Sequence, residues 1–484
     1  MNSSLLLIVF LAYTLLIFAV TWITSRKASN ETFFTGNRRS PWFVVAYGMI
    51  GASLSGVTFM SVPGNVFSQN FYYMPMVFGF LAGYVIIALV LMPLYYRMNL
   101  TSIYTYLEKR FGFFTYKSGA AFFILSRTLG ATLRMFLVVS VLHIFILQNL
   151  GIPFWVAGLI FVALILLYTA KGGIKTIVWT DMLQTTFMLL AVVICVVCIC
   201  QQMNWNFGDM FAQVKSSGYA KMFDTSWLSK THFLKQFLSG MFVCIAMTGL
   251  DQEMMQKNLS CKNIKDAQKN MFTFSGILMI VNFLFLLLGA VLVLFIQQKG
   301  LTFADTDRIF PTVAFEHLGV FAGLIFIIGL ISAAYPSADG ALTSLTTSFC
   351  IDIVGMNKKE NWDEQKKKKV RYAIHFSLAF LFLLLIIFYN LVKNDAVIDL
   401  VYAVASYTYG PLLGFFFFGI LTKYQVRDKM MPVVAILSPI CCFLLDILFQ
   451  KYFNFGFGFT LLIVNGLLTF FGMWIFRKKK ISIQ

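Results

Sequence analysis

Long apolar runs alternate with short polar connectors along the whole chain. Runs long enough to cross a bilayer lie at about 4–24, 43–68, 76–98, 116–148, 152–170, 174–201, 232–257, 270–297, 313–350, 371–392, 396–421, 430–450 and 456–476. About 20 apolar residues in a helix cover the hydrocarbon core, so the pattern predicts thirteen transmembrane helices. The longer runs are expected to tilt or to extend past the bilayer. The first run has no Lys or Arg before it and no A-x-A site after it, so it is read as a span and not as a signal peptide. The largest polar stretches, 202–231 and 352–370, are too short for soluble domains.

Composition narrows the class. Hydrophobic residues make up 59% of the 484, and charged residues 12%. Soluble chains are nearer roughly 45–50% and about 25%. An ordinary soluble enzyme, a disordered chain and a secreted disulfide scaffold are excluded. The net charge of +18 would suggest nucleic acid in a soluble protein, but its distribution gives another reason. With the N-terminus outside, 28 of the 38 Lys and Arg fall on inner segments and eight on outer ones, with Arg127 and Arg134 inside a span. That asymmetry predicts a multi-pass plasma-membrane protein (an inner-membrane one in a Gram-negative cell) with a cytoplasmic C-terminus and no nucleic-acid partner. The run Lys366-Lys367-Lys368-Lys369 reads as a solvated inner loop touching anionic lipid. Cys195-x-x-Cys198 lies in an apolar run and reads as small buried hydrophobes, with no metal expected. No G-x-x-x-x-G-K-[ST] loop is present, so direct ATP drive is not expected. Nothing indicates an obligate protein partner.

Polar residues inside spans carry the chemistry, because a charge near the bilayer centre costs at least ~2.5–3.5 kcal/mol. Arg127 and Arg134 stand about two turns apart on one helix face. They form either a cationic wall for an anionic solute or an ion-paired or snorkelling structural pair. Asp181 and Asp339 sit within spans, and Asp251 and Glu253 near the inner end of 232–257. Buried carboxylates among hydroxyls suit hard cations. The structural alternatives are pairing of Asp181 and Asp339 with the two arginines, and an interfacial position for Asp251 and Glu253.

Two stretches read as breaks. Residues 48–58 hold three Gly and three hydroxyls, which weaken a helix and free backbone carbonyls. The second is Met247-Thr248-Gly249-Leu250-Asp251-Gln252. They fall five spans apart, the spacing of an inverted five-helix repeat, and such breaks mark transporter binding sites. Pro336 lacks an N–H and should free the Ser332 carbonyl and loosen the turn that holds Ala333. Ser337 adds a hydroxyl there. The set suits a monovalent cation, or else is a packing kink.

Five motifs in order resemble the sodium:solute symporter family. They are Phe33-Phe34-Thr35-Gly36-Asn37-Arg38-Arg39-Ser40-Pro41-Trp42, Tyr106-Leu107-Glu108-Lys109-Arg110-Phe111-Gly112, Gly172-Gly173 with Thr180-Asp181-Met182-Leu183-Gln184, Asp251-Gln252-Glu253-Met254-Met255-Gln256-Lys257, and Gly410-Pro411-Leu412-Leu413-Gly414. The resemblance implies an all-α, leucine-transporter-type fold of two inverted five-helix repeats with flanking helices. The implied division is 1–42, repeats at 43–201 and 232–421 around the outer loop 202–231, and C-terminal helices at 422–484. The family's shared sodium site carries over to Gly51, Leu54, Ala333 and Ser337, with Pro336 in place of one hydroxyl ligand. A second sodium site of some members matches Asp181, with Asp339 and Gly340 at two of its hydroxyl positions. Asp339 either supplies oxygens to sodium or shares a proton with Asp181. Substrate positions match Ser53, Ser55, Val57, Thr58 and Asp251. Val57 and Thr58 stand where sugar-binding members carry Glu and Gln, which argues against a galactose site.

The resulting expectation is a secondary active symporter, not an enzyme. Sodium drives import of a small organic solute, anionic and of the carboxylic or sialic acid type, with Arg127 and Arg134 in its site. The alternatives are proton-coupled or sodium-independent transport, a sugar substrate, a membrane enzyme or a sensor. The four His are scattered without an H-E-x-x-H motif, and the stretch after Arg477 is short for a signalling domain.

Overall fold

The computed structural model describes residues 3–26, 29–303, 306–392 and 397–478. Lys27, Lys393, Lys479 and Lys480 of the charge count lie outside them. The apolar helices, in chain order, are α1 (Leu5–Ser25), α2 (Trp42–Gln69), α3 (Met74–Arg97), α4 (Phe113–Leu150), α5 (Phe154–Ala170), α6 (Gly172–Gln202), α7 (Phe233–Gly249 with Gln252–Leu259), α8 (Ile264–Lys299), α9 (Gly319–Ile353), α10 (Glu364–Val392), α11 (Val397–Thr408), α12 (Gly410–Leu421), α13 (Asp428–Phe453) and α14 (Gly458–Ile475). Ten of these described helices are long and apolar enough to cross a membrane, and the bent pair α7 makes an eleventh. The chain is a multi-pass membrane protein. The expected count of thirteen is not established by length and composition, since α5, α11 and α12 are short. The run expected as one span at 396–421 is two helices meeting at Tyr409.

The interruptions have local causes. The α5–α6 rod breaks at Gly173, whose φ of 54° and ψ of −143° are open to glycine and strained for any other residue. Inside α2, Ser55 takes φ 43° and ψ 169°, which breaks the helix and takes regular i→i−4 partners from the preceding turn. In α7 a wide π-turn over Ile245–Gly249 ends the first half, and the second half leaves at 64°. Asp251 caps that second half, its Oδ1 accepting from the N–H groups of Glu253 (2.9 Å) and Met254 (3.3 Å). The outer connector carries one short helix, Phe207–Ser216, opened by a reciprocal Asn206–Asp209 capping box.

In the centre, α9 packs on α6 and α2, α8 packs on α2, and the first half of α7 crosses α3. That last crossing is close because both partners are glycine. A side chain at Gly79 would run into the Phe237 carbonyl, and one at Gly240 into the Met76 carbonyl. Outward faces of α10 and α13 stay apolar, with Phe376, Phe380 and Leu384 on one and Ile436, Leu437 and Ile440 on the other exposed, as lipid-facing helices require. The two broken helices α2 and α7 therefore meet inside a shell of unbroken ones.

Candidate functional site

A cleft of about 650 Å³, counted to its open mouth, lies between the breaks of α2 and α7. Its polar lining is Ser53 and Thr58 from α2, Arg127 and Arg134 from α4, Thr248 from α7 and Asn282 from α8. Tyr73, Phe80, Tyr84 and Met247 add apolar and aromatic wall. Small-solute sites are commonly concave with a few convergent polar groups, and this cleft mixes polar and apolar wall about evenly. Of the expected substrate positions, Ser53, Thr58, Arg127 and Arg134 line this cleft. Ser55 and Val57 are buried beside it, and Ser55 contributes the break itself.

Asp251 is fully buried behind Arg127, in a layer of charges beside the cleft. Arg127 ion-pairs with Glu253, and its second nitrogen lies 3.9 Å from Asp251 Oδ2. The Tyr409 hydroxyl donates to the same Asp251 oxygen at 2.5 Å. Lys257 Nζ lies 2.7 Å from Asp181 Oδ2 and 3.4 Å from Glu253 Oε1. The Tyr168 hydroxyl donates to Asp339 Oδ2 at 2.8 Å. Every charged side chain in this layer is 5% exposed or less.

These pairings differ from those expected. The structural alternative placed Asp181 and Asp339 against the arginines, and Asp251 and Glu253 at the interface. Instead Arg127 takes Glu253 and Asp251, and Asp181 takes Lys257. The cause is the bend in α7, which turns its second half into the interior. That segment is buried over all eight residues, and Lys257, one turn after Glu253, reaches Asp181 on α6 while Glu253 meets Arg127 on α4. Lys257, which the charge pattern places in an inner loop, is 1% exposed. The Glu253-x-x-x-Lys257 spacing just after a break was the signal for it.

The residues expected at the shared sodium site sit on two touching helices. Gly51 and Leu54 fall in the turn before Ser55, and Ala333 and Ser337 lie on α9, all buried. The missing side chain of Gly51 lets α2 settle against Pro336 and Thr185, and the Gly51 N–H donates to Thr185 Oγ1 at 3.0 Å. Thr185 stands one turn beyond Asp181, and the sequence reading did not single it out. The Ser337 hydroxyl donates to the Ala334 carbonyl at 2.9 Å, which leaves its oxygen lone pairs open to a cation. The backbone of α9 runs on as a helix across Pro336, so the proline removes a donor without ending the helix.

Comparison with known proteins agrees with this geometry. The pattern of the sodium:solute symporter family matches residues 33–427. The sodium/sialic acid symporter NanT of Aliivibrio fischeri is 24% identical over 440 residues, covering 89% of this chain and 85% of its own. The sodium/sialic acid symporter SiaT of Proteus mirabilis is 25% identical over 417 residues, covering 83% and 81%. A solved structure of a substrate-bound, outward-open, sodium-coupled sialic acid symporter superposes with a TM-score of 0.84 at 22% identity, covering 98% of this chain and 99% of that one. The likeness shows the leucine-transporter-type fold. With two broken helices five spans apart, five motifs in order and a match over most of its length, the chain belongs to the sodium:solute symporter family.

Proposed function

We propose that the protein imports a small carboxylated solute, of the sialic acid or another organic acid type, together with sodium. Sodium-coupled symport follows from the family. The anionic character of the solute rests on one observation, the two guanidinium groups on the wall of the cleft. Arg127 pairs with Glu253, and Arg134, half-buried two turns along the same face, stands on the cleft wall where a guanidinium can meet a carboxylate. Ser53, Thr58, Thr248 and Asn282 then serve the solute's hydroxyl or amide groups. The relatives that carry sialic acid support the same reading.

Carbonyls of Gly51, Leu54 and Ala333 and the Ser337 hydroxyl would hold sodium between α2 and α9. That ion ties the broken helix to α9 and sets the shape of the cleft. Solute binds at the break, and rocking of one helix bundle against the other exposes it on the opposite side. The buried layer of Arg127, Glu253, Lys257 and Asp181 lies across the inner exit and has to part on each cycle. The reading carries with it a plasma-membrane location with the N-terminus outside, repeats bounded at 43–201 and 232–421, and transport without covalent chemistry. The surrounding lipid and the lack of an obligate protein partner belong to the same proposal.

Thermal stability of the purified protein tests this, against organic acids, neutral sugars and amino acids, in sodium and in choline at two pH values. An acid should raise the melting temperature only in sodium. Ser337→Ala should weaken the sodium response about tenfold, on the order of one lost ligand interaction of ~1.4 kcal/mol. Arg134→Met should abolish the acid response and keep the sodium response. A neutral sugar that stabilises the Arg134→Met variant as well as the wild type would move the substrate to sugars. A response that ignores sodium and follows pH would replace symport with sodium by proton coupling.

A further inference from the structure

Three carboxylates converge inside the protein from three helices: Asp181 on α6, Glu253 on the second half of α7 and Asp339 on α9. Each is 1% exposed or less. Asp181 Oδ1 and Asp339 Oδ1 are buried without a hydrogen-bond partner. By its charge this place attracts a cation, though among the described residues no three His, Cys, Asp or Glu side chains are spaced to hold a metal ion; the resemblance leaves open either a proton shared by Asp181 and Asp339 or the assignment of a second sodium ion to it. The residues do not fit that assignment, because a cation is already built in. The ammonium of Lys257 lies 2.7 Å from Asp181 and 3.4 Å from Glu253, within electrostatic reach of Asp339.

The surroundings are shaped for that lysine. Gly340 offers no side chain, and the Glu253 carboxylate occupies the space a side chain would need. Glu253 is thereby held where it faces Lys257 on one side and Arg127 on the other. Asp339 is oriented by the Tyr168 hydroxyl at 2.8 Å. A sodium ion bound to Asp181 would lie next to a unit positive charge in a buried site, where like charges are weakly screened. We infer that the Lys257 ammonium is the resident cation of this position, and that the protein therefore binds one sodium ion per chain, at the Gly51–Ser337 site, and not two.

This rests on the sodium-coupled reading above, and the ion count separates the two. Saturable binding of radioactive sodium to the purified full chain, without solute, should give one ion in the wild type. Lys257→Met removes the charge and leaves the carboxylates, so it should bind one ion more than the wild type. Lys257→Arg keeps the charge and should bind the wild-type number. Should Lys257→Met not fold, Lys257→Gln keeps a polar tip and should show the same gain. Two ions in the wild type, falling to one in Asp181→Asn, would overturn the inference and leave sodium symport standing. No sodium in the wild type would instead defeat the sodium-coupled reading, and a gain of one in Lys257→Met would then still support Lys257 as the occupant. The same count in wild type and both neutral variants would overturn it.

Discussion

Arg127 sits where two uses of a buried guanidinium compete. Its 5% exposure and its contacts with Glu253 and Asp251 make it a structural partner first. Removing one member of a buried pair leaves the other charge without compensation, which costs about 3–5 kcal/mol. Arg127→Leu should therefore lower the melting temperature sharply, and the double change with Glu253→Leu should recover part of the loss. A single variant that melts like the wild type would place the weight of the layer elsewhere. Arg134, half-buried on the wall of the same cleft, should lose acid binding when changed to Met and cost the fold less than Arg127→Leu does. The two look alike in the sequence, seven residues apart on one face. Only the fold shows that the second half of α7 delivers Glu253 and Asp251 to Arg127.

Among the elements, the breaks were the most legible feature. Glycine and hydroxyl enrichment in 48–58 located the interruption of α2, and Gly249 with Asp251 located that of α7. Local chemistry explains both, since such residues hold a helix weakly and cap the next one well. The consequence of a bend was not legible, because 64° at residue 250 decides where residue 257 ends up. The α5–α6 break offers a clean test. Gly173 has a left-handed φ and lies tight against the backbone of Phe33. Gly173→Ala should destabilise by at least ~1 kcal/mol from backbone strain alone, and more from the contact. Melting in detergent reads this directly, with Gly276→Ala, which has open space around it, as the control expected to change little.

Across the whole molecule, ion count and solute charge together set the driving force. One sodium ion with a monocarboxylate moves no net charge. Uptake into proteoliposomes should then follow the sodium ratio, worth about 1.4 kcal/mol per tenfold gradient, and ignore an imposed membrane potential. A second mobile sodium would add ~2.3 kcal/mol per 100 mV. Acceleration of uptake by an inside-negative potential would therefore argue for a second mobile ion, or for a neutral solute. In the Lys257→Met protein, where a second sodium is expected, uptake should become sensitive to potential.

The sequence by itself determined what depends on short stretches of chain: that the protein crosses a membrane many times, where its helices break, and which family it belongs to. Hydrophobic length, glycine content and motif order are local quantities, and a reader needs no coordinates to see them. It also named Gly51, Leu54, Ala333 and Ser337 as candidate oxygen donors, and these lie on helices that do touch. Only the tertiary structure decided which charges meet. The sequence reading counted Lys257 among loop residues, and nothing local tied it to Asp181, 76 positions earlier. Pairing inside a bilayer is set by the rotation and bend of whole helices relative to one another. The bend at one break exchanges an interfacial lysine for a buried counter-ion, because the low dielectric makes a buried charge without a partner costly.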